Sequence, residues 1–273
     1  LALIIDDGST DGSLALCRKY AKTDERIKVI SLDHVGISAA RNYALDRIST
    51  QFVASLDGDD YFDKDYLKHL VEAQKKHGAD LVISNVIYRW EDGSEWKRFP
   101  FRNEERFSRE DFADILPALL DEERLNYLYG KLYKADFLRD VRVEPDVKQG
   151  SDTMINCRYV MKINSIAVIE NYDYNYVRYN NVRSVVSYNG KDSFERLYRI
   201  NSFVYDCMKQ NGYLNSEMQR VIDGRFLISG MYALQGVGRS SVKEEEKRKT
   251  AEMIVKNPLY SEAYNRQKKE GNL

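Results

Sequence analysis

The sequence lacks several features that would place it in a well-defined class. Its three cysteines, Cys17, Cys157 and Cys207, are far apart and odd in number. They match neither a zinc-ligand spacing nor a disulfide framework, which predicts a reducing compartment. Lys and Arg (42 residues) nearly balance Asp and Glu (43 residues), so no basic excess argues for a nucleic-acid partner. The sequence has no signal-peptide pattern and no apolar run near the ~20 residues of a membrane span, which predicts a cytoplasmic protein.

What the sequence does contain is a repeated strand-loop-helix pattern. The hydrophobic share of 43% over 273 residues is enough for one large domain, or for a domain with an appendage. Apolar segments at residues 1–5, 27–31, 51–56 and 80–84 alternate with amphipathic segments after residues 11, 36 and 65. This alternation predicts an α/β fold with a mostly parallel sheet flanked by helices. Ligands in such sheets bind at the carboxyl ends of the strands.

The pattern changes in the second half of the chain. It predicts a hairpin from residues 86–90 and 96–99, a helix at 108–120, and a helix at 152–161 capped by Ser151. Strands are predicted at 166–169 and 172–178, and helices from residue 192 onward. We therefore expect one domain over residues 1–188 and a helical region over 189–273, divided near Asn189. The helical region is expected to pack on the domain, and its role in a homodimer is left open.

Two acidic clusters follow predicted strands. In an extended segment, Asp57 and Asp59 would point the same way, ~6.5 Å apart along the chain, and could share Mg²⁺ or Mn²⁺ with a diphosphate. Asp6 and Asp7 could accept hydrogen bonds from a base or a ribose. Both clusters also fit ordinary turns, with Asp11 as a helix cap after the first.

A third candidate element opens a helix with small residues at 36–42. Arg41 either faces a nucleotide diphosphate, which suits its planar and permanently charged fork, or lies on the solvated face. The residues alone leave both interpretations open.

Together, segments 4–13, 36–42 and 56–60 resemble the inverting family 2 glycosyltransferases of bacterial polysaccharide synthesis, which have the GT-A fold. Segments 130–134, 150–152 and 174–187 are similar to later motifs of that family. The resemblance covers residues 1 to about 188. The family normally begins with a further strand and helix, so the sequence predicts that these elements are missing from the chain. It also has Ser151 where the family usually has Glu.

The resemblance implies a role for each matching residue. It places the nucleoside at Asp6 and Asp7, the donor arginine at Arg41, and the ribose and metal contacts at Asp57 and Asp59. The remaining implied role is that of the catalytic base, at Asp152. The implied reaction is a single displacement at the anomeric carbon.

The sequence therefore predicts a glycosyltransferase that depends on Mn²⁺ or Mg²⁺ and uses a nucleotide-sugar donor, expected to be a UDP-sugar. The expected acceptor is a saccharide or lipid-linked saccharide of a cell-surface or capsular polysaccharide, at the inner face of the membrane. One alternative is a sugar-1-phosphate nucleotidyltransferase, which would want a Gly-rich phosphate loop that the sequence does not show. Another is a degenerate GT-A module for assembly, suggested by Ser151 and the long helical end.

Overall fold

The computed structural model describes residues 1–97, 101–179, 190–239 and 243–271. The strands are β1 (Ala2–Asp6), β2 (Ile27–Ser31), β3 (Phe52–Val53), β4 (Tyr61–Phe62), β5 (Leu81–Ile83), β6 (Val86–Trp90), β7 (Glu95–Lys97), β8 (Glu105–Ser108), β9 (Lys131–Lys134), β10 (Ser165–Val168) and β11 (Tyr174–Arg178). The helices are α1 (Ser13–Ala21), α2 (Ile37–Leu45), α3 (Tyr66–His77), α4 (Phe112–Asp121), α5 (Ala135–Leu138), α6 (Ser151–Val160), α7 (Gly190–Gln210), α8 (Ser216–Arg239), α9 (Glu244–Val255) and α10 (Pro258–Lys269). Single 3₁₀ turns lie at Arg109–Asp111 and Arg124–Asn126.

The strands form three sheets with mixed pairing. The largest has the order β3-β9-β5-β10-β8, a second has the order β4-β11-β6-β7, and β1 pairs with β2. Pairs β1·β2, β5·β10 and β6·β11 are parallel, and the other pairs are antiparallel. The predicted α/β class with flanking helices is confirmed, with more antiparallel pairing than the strand-loop-helix repeat suggests.

The central strands are buried on both faces. Leu81 and Ile83 of β5 belong to one apolar cluster, whereas Val82 between them belongs to another. Ile166 and Ala167 of β10 divide in the same way. Because successive side chains of a strand point to opposite faces, this division shows that the largest sheet has a core on each side.

The third strand is much shorter than predicted. Only Phe52–Val53 of residues 51–56 is a strand, and it pairs on one edge with β9. Within the described part of the chain, β1 has no partner strand besides β2, and a cavity of about 250 Å³ separates Leu3 of β1 from Val53. Residues 54–56 are irregular because no neighbouring strand supplies them with ladder hydrogen bonds.

Most other predicted elements are present within one to four residues. The hairpin is β6 and β7, although its expected end at Phe99 lies outside the described residues. The closing loop to Ser187 and the predicted division at Asn189 lie outside them too. The helix predicted at 108–120 starts later, at Phe112, after a 3₁₀ turn with a capping box.

The helices after residue 190 pack on the sheet domain. Val204 of α7 and Phe226 of α8 belong to the same buried cluster as Phe112 of α4. Arg266 of α10 donates two hydrogen bonds of 2.8 Å to buried Asp223 of α8, which ties the last described helix to the others. Among the described residues, no helix combines the length and apolar composition needed to cross a bilayer.

Candidate active site

The centre of the site is an ion pair between two distant segments. Arg41, on the second turn of α2, donates a 3.0 Å hydrogen bond to Asp152 Oδ2, and its other terminal nitrogen contacts Oδ1. The two side chains are only 18% and 17% exposed. Arg41 also donates to the hydroxyl of Ser151. The predicted donor arginine therefore contacts the predicted base directly.

The Asp6-Asp7 loop positions the start of α2. The carboxylate of Asp7 accepts hydrogen bonds from the backbone N–H groups of Val35 (2.7 Å) and Gly36 (2.9 Å). Gly36 has a φ of 88°, a left-handed conformation that favours glycine. Asp7 thus fixes the direction in which α2, and Arg41 on it, leaves the loop.

Asp6 is buried and has partners within the chain. It accepts a 3.2 Å hydrogen bond from Ser31, and hydrogen bonds from Ser9 and then Ser31 lower the pKa of Asp6 despite its burial. The carboxylates of this loop hold the loop together, and their contact with a nucleoside stays a prediction.

Asp57 and Asp59 lie in a turn. The N–H of Asp60 donates a 3.2 Å hydrogen bond to the carbonyl of Asp57, which closes the turn over Gly58 and Asp59. The argument from an extended segment is therefore wrong for this loop, because the strand before it ends early. Asp57 is half-buried and Asp59 is exposed.

Asp60 anchors this turn to β11. Its carboxylate accepts hydrogen bonds from Tyr174 Oη (2.8 Å) and from the backbone N–H of Val177 (2.9 Å). Tyr174 Oη also accepts a 3.3 Å hydrogen bond from the backbone N–H of Asp57. A buried hydroxyl thereby holds both ends of the turn, and the carboxylates of Asp57 and Asp59 have no such anchor in the described contacts.

Electrostatics connect the turn to the ion pair. Burial, and next the negative charge of Asp152, raise the pKa of Asp57 to about 6, while the charge of Arg41 opposes that rise. The neighbouring Asp60 and Asp59 raise it further. The carboxylates of the turn therefore lie close enough to Asp152 and Arg41 to interact with them electrostatically. Among these groups the negative charges outnumber the single positive charge of Arg41.

The turn offers few ligands for a metal ion. Within the described ranges, no group of three or more His, Cys, Asp or Glu side chains could hold a metal. If Asp57 and Asp59 alone bound a divalent ion, most of its coordination positions would be taken by oxygens from other groups. That ligand set fits Mg²⁺, which typically takes one or two carboxylates plus substrate phosphates. The negative potential that raises the pKa of Asp57 would also be relieved by a cation.

Ser151 does not cap α6, contrary to the prediction. Gly150 is at the N-cap position with a φ of 84°, and Ser151 is the first helical residue, fully buried, with its hydroxyl bonded to Arg41. The left-handed backbone needs glycine at the cap. A Cβ at residue 150 would lie 2.3 Å from Cδ1 of Ile200 on α7, so α7 packs directly against the start of the helix that carries Asp152.

Two contacts of the site have no signal in the sequence. Arg41 and Asp152 are 111 positions apart, and Tyr174 and Asp60 are 114 apart. Neither pairing follows from a local pattern, because only the folded topology brings α2 to α6 and β11 to the turn.

Known proteins resemble this chain over much of its length. Residues 2–141 match the family model described as glycosyl transferase family 2. The cholesterol galactosyltransferase of Borreliella burgdorferi is 29% identical over 193 residues, which are 68% of this chain and 54% of that protein. Glycosyltransferase GlyA of Streptococcus pneumoniae is 28% identical over 160 residues, which are 56% of this chain and 23% of that protein. The chain thus spans between about a quarter and half of these relatives.

Solved structures share the fold. Residues 1–349 of Staphylococcus aureus TarS in complex with UDP superpose with a TM-score of 0.64 at 17% identity, covering 98% of this chain and 82% of that one. The complex of the same fragment with UDP-GlcNAc gives 0.61. The family match covers half of the chain and includes Arg41 and Asp57, and the resemblance drawn from the motifs is confirmed: the chain belongs to glycosyl transferase family 2.

Proposed function

We propose that the protein transfers a sugar from a nucleotide-sugar donor, with UDP as its nucleotide, to a hydroxyl of a saccharide acceptor in bacterial polysaccharide synthesis, with inversion at the anomeric carbon. The observation that carries this proposal is the convergence of Arg41, Asp57 and Asp152 from three distant segments. Family membership supports transfer. The relatives include a protein named poly(ribitol-phosphate) beta-N-acetylglucosaminyltransferase, which supports a polymeric acceptor.

The donor would lie between the two acidic loops. Asp57 and Asp59 would hold a divalent cation, Mg²⁺ or Mn²⁺, which when bound neutralises charge on the diphosphate leaving group. Arg41 offers a planar fork that suits a phosphate oxygen pair. Asp6 and Asp7 would contact the nucleoside through the carboxylate lone pairs that accept no hydrogen bond from within the loop.

Asp152 would accept the proton of the acceptor hydroxyl as general base. It lies in the first turn of α6, and both of its carboxylate oxygens contact Arg41. Binding of the donor diphosphate to Arg41 would release the carboxylate for the proton transfer.

Calorimetry with UDP and UDP-sugars, with and without MnCl₂, tests the proposal on the protein as its gene encodes it. We expect metal-dependent binding that Asp59→Ala abolishes. Asp206→Ala is the matched control, because Asp206 is an exposed aspartate on α7. Absence of nucleotide binding in the wild-type protein would overturn the proposal, and binding without metal would overturn the cation site alone. Pyrophosphate release from a nucleoside triphosphate would identify a nucleotidyltransferase instead.

A further inference from the structure

A cleft lies beside Asp152. Its volume is about 390 Å³, within the ~300–1,000 Å³ range of small-molecule sites. Its lining includes Asp152 and Arg41 together with residues of the helices α7 and α8. Among the described residues, Asp57 is not part of its lining. The candidate base therefore lines a space that Asp57 does not line.

Part of the lining of this cleft is a network of polar side chains that hydrogen-bond to one another. Arg225 of α8 donates 3.2 Å hydrogen bonds to the side-chain oxygens of Asn201 and Asn126, which belong to α7 and to a 3₁₀ turn. Asn201 also donates a 2.9 Å hydrogen bond to the hydroxyl of Ser229. Amides both donate and accept, and here they are oriented before any ligand arrives. Such a surface matches a ligand that carries several hydroxyl groups.

Another part of the lining is apolar and aromatic. Ile228 and Tyr232, four residues apart on α8, lie on one helix face and are 51% and 40% exposed. A tyrosine ring offers an apolar face together with a polar tip. A saccharide ring has the complementary character, with C–H groups on its faces and hydroxyl groups at its edge.

A left-handed backbone conformation and a close packing contact occur in the lining of the cleft. Glu123 in its lining has a φ of 60°, a left-handed conformation that is costly for a residue with a side chain and that clusters at functional sites. Ile200 of α7 packs against Gly150, next to the helix that carries Asp152. The spacing between α7 and the helix that carries Asp152 is thus set by close packing.

We propose that this cleft binds the acceptor as a saccharide, with its ring stacked on Tyr232, its hydroxyl groups on the Arg225 network, and its reacting hydroxyl toward Asp152. The helices α7 and α8 then select the acceptor. This inference rests on the proposed function for its assignment of Asp152 as base.

The test measures capture of the UDP-loaded protein on an immobilised array of bacterial oligosaccharides, together with calorimetric affinity for UDP. The variants are Tyr232→Ala, Tyr232→Phe and the matched control Tyr264→Ala, because Tyr264 is 43% exposed on α10 and does not line the cleft. Capture should fall roughly tenfold in Tyr232→Ala and persist in the other two variants, because phenylalanine keeps the stacking surface.

Equal capture by wild type and Tyr232→Ala would overturn the inference, as would capture of no saccharide by the wild type. An equal loss in Tyr264→Ala, or a parallel loss of UDP affinity in Tyr232→Ala, would overturn it too, since it would show a general effect on the fold. Capture that depends on Tyr232 in a protein that does not bind UDP would overturn the proposed function and retain the cleft as a saccharide site.

Discussion

Asp152 and a donor diphosphate should compete for Arg41. In the structure the guanidinium is paired with Asp152, and both side chains are more than four-fifths buried. A diphosphate that engages Arg41 must weaken this pair or share it. The coupling free energy between two binding events is typically about 1–3 kcal/mol. Neutralising Asp152 should therefore tighten the binding of UDP by roughly 5- to 150-fold.

A double-mutant cycle separates this competition from simple repulsion. UDP affinity is measured by calorimetry for wild type, Asp152→Asn, Arg41→Met and the double variant, in the presence of Mn²⁺. If Asp152 competes through Arg41, Asp152→Asn tightens binding only where Arg41 is present. Asp146→Asn controls for net charge, since Asp146 is a surface aspartate paired with Arg199.

The reasoning is refuted if Asp152→Asn tightens UDP binding equally with and without Arg41. That result would mean that the carboxylate only repels the diphosphate. No change in either background would also refute it, because the pair would then remain intact in the donor complex.

Three further perturbations have defined outcomes. Asp57→Asn should stabilise the metal-free protein by roughly 1–3 kcal/mol at pH 8. Burial raises the pKa of Asp57 to about 6, so the ionised carboxylate of the wild type destabilises the fold at that pH. Calorimetric unfolding should show that the stability gain of the variant shrinks as the pH falls towards about 4. Gly150→Ala should destabilise the fold by more than about 1 kcal/mol in urea unfolding and slow transfer, because its φ is 84° and a Cβ meets Ile200. Tyr174→Phe should cost about 1–3 kcal/mol in urea unfolding, because the carboxylate of Asp60 loses a 2.8 Å hydrogen bond; unchanged stability would contradict its anchoring role.

Local periodicity was enough to predict most helices and strands. The apolar run that predicts β5 and the amphipathic pattern that predicts α3 depend on each residue's neighbours in sequence, and both elements are present. The strand at 51–56 was predicted in the same way and is mostly irregular. The length of a strand depends on the neighbouring strands that pair with its two edges. Those neighbouring strands cannot be predicted from the residues of the strand itself.

The site shows the same division between local and non-local information. The motifs predicted which residues carry charge at strand ends, and family resemblance predicted their roles. They left open whether Asp57–Asp60 form a turn, and they did not predict that the hydroxyl of Ser151 contacts Arg41. Both depend on contacts with β11 and α2, more than 100 positions away.

The contacts of Arg41 connect the two halves of the proposed reaction. Asp7 fixes the start of α2, α2 presents Arg41, and Arg41 holds Asp152 beside the cleft formed with α8. While Arg41 contacts both carboxylate oxygens of Asp152, fewer of their lone pairs are available to an acceptor hydroxyl. A diphosphate that takes over Arg41 would free the carboxylate of Asp152 only once the donor is bound. Such an arrangement would limit proton removal from the acceptor to the complex in which a sugar is ready to receive it.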